Sequence, residues 1–113
     1  MSQITSHVLD TALGRPASGL DVRLDVLDDQ DVWRQLSVRT TDRAGRVSDL
    51  LGGATLESRS YRLTFETGGY FERSAQSVFY PRIEVVFRVA APTEHYHIPI
   101  LLSPFGYSTY RGS

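Results

Sequence analysis

Glu94-His95-Tyr96-His97-Ile98-Pro99-Ile100-Leu101-Leu102, a turn at Ser103-Pro104-Phe105-Gly106, and Tyr107-Ser108-Thr109-Tyr110-Arg111-Gly112-Ser113 close the chain, and this stretch decides the fold. Its first run alternates as a strand does, with Tyr96, Ile98, Ile100 and Leu102 on one apolar face. His95, His97, Pro99 and Leu101 then point the other way. Imidazoles on the face away from a core are not needed for packing. Two residues apart on a strand, they stand about 7 Å from one another, close enough to act on one small molecule. The turn with Pro and Gly makes the two runs hairpin neighbours. No polar tail follows Ser113, so the end itself, with its Tyr and Arg, is expected to be used.

Working back from this hairpin, the chain gives one short strand after another. Ile4, Ser6 and Val8 alternate with Thr5, His7 and Leu9, and a loop at Gly14-Arg15-Pro16-Ala17-Ser18-Gly19 closes that strand. Val22, Leu24 and Val26 alternate with Asp21, Arg23 and Asp25. After turn residues at 28–31, Val32, Arg34, Leu36, Val38 and Thr40 alternate with Trp33, Gln35, Ser37 and Arg39. Asp42-Arg43-Ala44-Gly45 turns the chain and delivers Arg46. Tyr61, Leu63, Phe65 and Thr67 alternate with Arg62, Thr64 and Glu66, and Gly68-Gly69 is expected to break that strand. The spacing predicts one helix, over 70–77. Ile83, Val85, Phe87 and Val89 then oppose Glu84, Val86 and Arg88. With the two C-terminal runs this makes seven to eight strands and one short helix, the all-β pattern of a two-sheet sandwich.

Composition narrows the function classes. A chain of 113 residues makes a single domain, 1–113, with one core. A formal net charge of −1 gives no electrostatic footprint for nucleic acid or an anionic membrane. All 12 basic residues are Arg, which reads as compositional bias. Without Cys there is no disulfide, thiol nucleophile or thiolate metal site. No apolar run is long enough to span a bilayer. No charged-then-apolar leader opens the chain, so a cytoplasmic location is the expectation.

Three places could carry chemistry. His95 and His97 share a face, and His7 lies on the less apolar side of its own strand. Three histidines invite a zinc reading. The third ligand would have to come from a distant part of the chain, and a metal-free imidazole site is expected ahead of it. Arg46 follows a tight turn and could reach across a cleft, although by composition it reads as a solvated side chain at a strand start. Tyr110-Arg111-Gly112-Ser113 could line a polar pocket or simply fray.

At this point the residues form a recognisable set. Ser6-His7-Val8-Leu9-Asp10-Thr11 with Gly14-Arg15-Pro16-Ala17, then Thr41-Asp42-Arg43-Ala44-Gly45-Arg46, then Glu94 to Pro104, then the closing Tyr110-Arg111-Gly112-Ser113 resemble, in order and spacing, the motifs of the 5-hydroxyisourate hydrolases. These are the enzymatic branch of the transthyretin family. The closing four residues are what separates them from transthyretins proper. The resemblance implies a transthyretin-like two-sheet sandwich and a homotetramer, a dimer of dimers enclosing a channel. It implies hydrolysis of the cyclic amide of 5-hydroxyisourate in urate degradation, with no cofactor. Carried over by motif, the catalytic residues are His7, Arg46 and His97, and His7, Arg46, Tyr110 and Ser113 bind substrate, with His95 in a supporting role. One sheet's outer face lines the implied channel, and strand parity then puts His7, Leu9, His97, Pro99, Leu101, Ser108 and Tyr110 on it. The alternative is a transthyretin-like carrier that holds a small ligand without turnover.

Overall fold

The first strand of the chain, β1 (Ile4–Asp10), lies parallel to a strand near its end, β8 (Tyr96–Ser103). The structure is a computed structural model describing residues 3–113. The pairing runs without a break from Ile4 opposite Tyr96 to Asp10 opposite Leu102. On its far side β8 pairs antiparallel with β9 (Gly106–Thr109), the predicted hairpin. Two short strands, β2 (Arg15–Pro16) and β5 (Arg46–Val47), complete this sheet against β1. The second sheet has the order β4 (Trp33–Thr40), β3 (Asp21–Leu27), β6 (Ser60–Phe65), β7 (Ile83–Arg88), with every pair antiparallel. The expected sandwich and its strand count hold, with β2 and β5 as additional two-residue strands.

The core is the sum of the inward halves of these alternations. Ile4 and Val8 from β1 and Ile98, Ile100 and Leu102 from β8 face Val22, Leu24, Leu63, Phe65 and Ile83 from the second sheet, all of them buried. Each such aliphatic or aromatic side chain contributes roughly 1.5–3 kcal/mol on burial. Alternation does not identify the inner face everywhere. A bulge between Leu24 and Asp25 shifts the register against β4, and Val38 ends 46% exposed while its neighbour Ser37 is buried. The Ser37 hydroxyl is satisfied by donating to the Leu50 carbonyl.

The helix α1 spans Thr67–Arg73, earlier than the predicted 70–77. Gly68 and Gly69, expected to break the chain, lie inside it. Tertiary contacts override their poor helical propensity. The Gly68 N–H donates to the Pro81 carbonyl at 2.8 Å, and the Thr67 hydroxyl to the Tyr80 carbonyl at 2.6 Å. The helix ends where Ser74 bonds back to the Tyr70 carbonyl and Ala75 takes a positive φ of 57°.

A buried carboxylate ties this helix to β1. Asp10 accepts from the Tyr70 hydroxyl at 2.6 Å, the Leu13 N–H at 2.8 Å and the Gln76 amide at 2.9 Å. Burial pushes the Asp10 carboxyl up, but these bonds outweigh it and hold it below its ordinary 3.8. Burial and the hydrogen bond to Asp10 push the Tyr70 phenol up to about 12. Because the Asp10 value is depressed on folding, the stability it confers is complete above 3.8 and is lost as pH falls through the lower folded value. Tyr70→Phe removes one donor from a buried charge and should cost about 1–3 kcal/mol in urea unfolding at pH 7. The deficit should shrink as the acid limb is approached, because the variant's Asp10 protonates more readily.

Candidate active site

The outward halves of the same alternations make the site. On β1 the residues facing away from the core are Thr5, His7 and Leu9, each half-buried. Register sets Thr5 opposite His97 on β8 and His7 opposite Arg46 on β5. The turn before β5 is tightly specified. The Asp42 carboxylate accepts the N–H groups of Ala44 and Arg46, both at 2.9 Å, and the Gly45 N–H bonds the Asp42 carbonyl. Gly45 has a φ of +75°, and a Cβ there would collide with the Val8 carbonyl, so glycine is required twice over. Its own carbonyl accepts the Val8 N–H at 2.8 Å. The turn is thereby pinned to β1, and Arg46 is held beside His7.

A polar cleft of about 370 Å³ opens here, lined by Thr5, Asp42, Arg46, Ser48, His95, His97 and Ser113 among others. His7 stands at its side. Its Nε2 lies 2.8 Å from the Ala44 carbonyl, which can only accept. That bond places the proton on Nε2 and leaves Nδ1 of the neutral ring as an acceptor. His97 Nδ1 lies 2.8 Å from the Thr5 hydroxyl, and His95 Nε2 lies 3.3 Å from the same oxygen. The two imidazole planes are within 10° of parallel at 6.4 Å, as the strand spacing predicted. Burial first, then the positive charges of Arg46, His95 and His7, pull the His97 pKa below its ordinary 6.5, while a hydrogen bond to the Thr5 backbone opposes them. His97 is therefore neutral at pH 7 and able to accept a proton.

The chain end is part of this construction. The Gly112 N–H donates to the His97 carbonyl at 2.7 Å, extending the β8–β9 register by an isolated bridge. A Cβ on Gly112 would sit 2.6 Å from His97 Cδ2, so only glycine lets the terminal segment lie against that ring. Arg111 holds the segment down, with its guanidinium 4.4 Å above the Tyr96 ring and a hydrogen bond of 3.0 Å to Glu94. Ser113 thereby reaches the cleft. Tyr110 does not line it. The hydroxyphenyl residue is 58% exposed and borders a second cleft, of about 260 Å³, with Phe87, Ile98 and Arg111 between the β7 and β9 edges. Regular pairing lapses between Thr109 and Gly112, so the alternation that groups Tyr110 with Ser108 is not enforced there.

His7, Arg46, His95, His97 and Ser113 are thus drawn together from four separate segments. Thr5 and Asp42 join them without having been singled out from sequence. Parity already put Thr5 beside His7, and Asp42 sits at the head of an Asp-x-x-Gly turn, but neither signal says what the side chain touches. Among the described residues no cluster of three or more His, Asp or Glu side chains is placed to hold a metal ion.

A two-sheet sandwich whose first strand pairs in parallel with the penultimate one has the architecture of the transthyretin class of proteins. Residues 4–112 match the HIUase/Transthyretin family, and the chain belongs to that family. A mouse (Mus musculus) 5-hydroxyisourate hydrolase is 43% identical over 113 residues, covering 99% of this chain and 96% of the mouse protein. The structure of the Klebsiella pneumoniae 5-hydroxyisourate hydrolase superposes with a TM-score of 0.85 at 34% identity over 100% of both chains. A sea bream transthyretin in complex with thyroxine superposes with a TM-score of 0.90 at 28% identity, over 97% of this chain and 94% of that one.

The electrostatic account of His97 is open to direct measurement. An NMR titration should place its pKa below 6.5. Arg46→Ala, which removes the nearest permanent cation, should move it upward. Because this value is depressed on folding, the neutral ring's contribution to stability is complete above 6.5 and is lost as pH falls through the folded value. An unchanged titration in the Arg46 variant would show that the guanidinium does not contribute to the shift.

Proposed function

We propose that the protein opens the cyclic amide of 5-hydroxyisourate with water, forming 2-oxo-4-hydroxy-4-carboxy-5-ureidoimidazoline in urate degradation. The observation that carries this reading is the placement of Arg46 and His97 on one cleft with His7 paired beside Arg46, the two imidazoles held by the Ala44 carbonyl and the Thr5 hydroxyl. The full-length likeness to curated 5-hydroxyisourate hydrolases supports it. Water attacks the amide carbonyl, the C–N bond breaks, and the departing ring nitrogen needs a proton. A neutral His97 accepts the proton of the attacking water. His7, with Nε2 committed to Ala44, offers Nδ1 to the substrate or its water. Arg46 holds the oxygen-rich ring and stabilises the oxyanion formed on attack. Ser113 lines the same cleft, and Tyr110 is assigned to substrate binding through its place in the closing Tyr-Arg-Gly-Ser motif. No cofactor enters this scheme. A carrier for an apolar ligand would line this face with small or aliphatic residues, where this chain has two imidazoles and a guanidinium.

The related sea bream transthyretin is solved in complex with thyroxine, a small molecule. The finer part of the proposal is a homotetramer, a dimer of dimers whose channel is lined by the outer face of the first sheet. Exposed apolar surface supports association. Phe79 is 60% exposed, Phe105 68% and Tyr107 44%, and with Tyr80 they form one run of touching rings. Edge strands β7 and β9 leave each sheet open on one side. Closing a partner over the cleft would exclude water from the imidazoles. Among the described residues no helix is long and apolar enough to cross a membrane, and a cytoplasmic location is part of the same proposal.

Freshly generated 5-hydroxyisourate should lose its ultraviolet absorbance faster with the purified protein than without it. His7→Asn and His97→Asn should each lower turnover by roughly 10²-fold while the fold persists, as expected for the loss of a positioned acid or base. Dialysis against a strong chelator should leave the rate intact, and sedimentation should give a tetramer. Loss of turnover on chelation with recovery on added zinc would instead favour a metal hydrolase. A fully active monomer would sink the shared-channel account.

A further inference from the structure

We propose that Thr5 joins His95 and His97 into a proton relay, in which the proton that His97 takes from the attacking water is passed through the Thr5 hydroxyl to the exposed His95 ring. This deepens the hydrolase reading and rests on it. It assigns Thr5 and His95 as positioning residues that act through His97.

The geometry is a chain of ring nitrogen, hydroxyl and ring nitrogen. Thr5 Oγ1 lies 2.8 Å from His97 Nδ1 and 3.3 Å from His95 Nε2. A hydroxyl has one hydrogen, so Thr5 donates to one ring and accepts from the other. The tautomers of the two imidazoles are therefore coupled through it. Among the described residues His97 Nε2 has no hydrogen-bond partner, which leaves it as the nitrogen for substrate or water. When Nε2 is bare, His97 Nδ1 carries the hydrogen and donates to Thr5, and Thr5 donates to His95 Nε2. This is the state prepared to act as a base.

The step then balances within the site. An O–H bond of water breaks, its oxygen bonds the amide carbonyl carbon, and the proton goes to His97 Nε2. The Nδ1 proton of His97 passes to Thr5, and the Thr5 hydroxyl proton passes to His95 Nε2. His97 is left neutral with a hydrogen on Nε2, and His95 becomes the imidazolium. When the C–N bond breaks, His97 Nε2 gives its proton to the departing nitrogen, the relay runs in reverse, and the starting state is restored. Net, one proton moves from water to the leaving nitrogen.

The surroundings explain why a second imidazole is useful. His97 faces Thr5 and His7 from β1, Arg46 from β5, and Ser113 and the Gly112 backbone from the terminal segment. It is half-buried, so an imidazolium held there is disfavoured both by desolvation and by a neighbouring guanidinium. His95 is exposed, and its backbone carbonyl is held by Arg111, itself paired with Glu94. His95 is the more exposed of the two rings, so an imidazolium there is desolvated less than one at His97. Thr5 is the only hydroxyl that contacts both rings among the described residues.

The test compares Thr5→Val, Thr5→Ser and His95→Ala in the full chain. Thr5→Val should lower kcat about tenfold or more, within the range of proton-transfer catalysis, with KM changed by less than about twofold, because this hydroxyl is engaged by the two imidazoles. Its acid limb should move to lower pH, since the His97 imidazolium loses an acceptor. Thr5→Ser should recover most of the loss. His95→Ala should lower kcat less, and millimolar imidazole in the buffer should restore it, whereas imidazole should not rescue Thr5→Val. Normal kcat in Thr5→Val, a loss confined to KM, or failure of Thr5→Ser to recover it would overturn the relay. Imidazole ¹⁵N spectra decide the linkage without turnover: Thr5→Val should change the tautomer balance of His97 and uncouple its titration from that of His95. If the unaltered protein does not accelerate 5-hydroxyisourate decay, the functional reading fails, and these spectra still judge the link. Unchanged ¹⁵N shifts of both rings in Thr5→Val would overturn it.

Discussion

The parallel pairing of β1 with β8 is the constraint on which the rest of the structure depends. It joins residues about ninety positions apart, from Ile4 with Tyr96 to Asp10 with Leu102. Side chains reinforce the backbone ladder, with the Ser6 hydroxyl on the Ile98 carbonyl at 2.6 Å and that of Thr11 on the Leu102 carbonyl at 3.0 Å. The entropic cost of closing so long a loop grows only logarithmically with its length. The topology therefore weighs more on folding rate than on stability. Both short strands of the first sheet, the hairpin strand β9 and the turn that carries Arg46 all attach to this pair.

Stability and chemistry are divided between the two faces of the same strands. The inner face of β1 and β8 packs against the second sheet and gives Ile4, Val8, Tyr96, Ile98, Ile100 and Leu102 to the buried core. The outer face of the same residues carries Thr5, His7 and His97, which the core does not need. A substitution on the outer face can therefore change reactivity with little effect on folding. Asp10 is the exception in kind, a charged residue on the inner face, and it is tolerated because three donors meet it.

Neutral groups orient the imidazoles. The Ala44 carbonyl takes His7 and the Thr5 hydroxyl takes His97. Asp42, whose side chain lines the cleft, is occupied by backbone N–H groups of its own turn. A carboxylate partner would stabilise the imidazolium and raise the pKa. A carbonyl or hydroxyl fixes the tautomer with less effect of that kind. With Arg46 alongside, the result is a His97 that is neutral when substrate arrives.

Much of the sandwich was legible in the sequence because alternation is a local property. The period of two in residues 96–102 and 4–9 separates core from outer face with no knowledge of partners, and the Asp42–Gly45 turn reads from its own residue types. Histidines on outward positions and four ordered motifs pointed to most of the candidate site and to the family. Which strand pairs with which is a different kind of fact. It is decided by how all the apolar faces can be buried at once, and no local pattern carries that information. Tertiary structure alone set Thr5 against His97, started α1 at Thr67 on contacts from Tyr80 and Pro81, and left Val38 exposed near the bulge at Leu36 on β4. It also left Tyr110 outside the histidine cleft, because edge pairing lapses before the bridge at Gly112. Local periodicity gave each side chain a face, and only long-range packing gave it a neighbour.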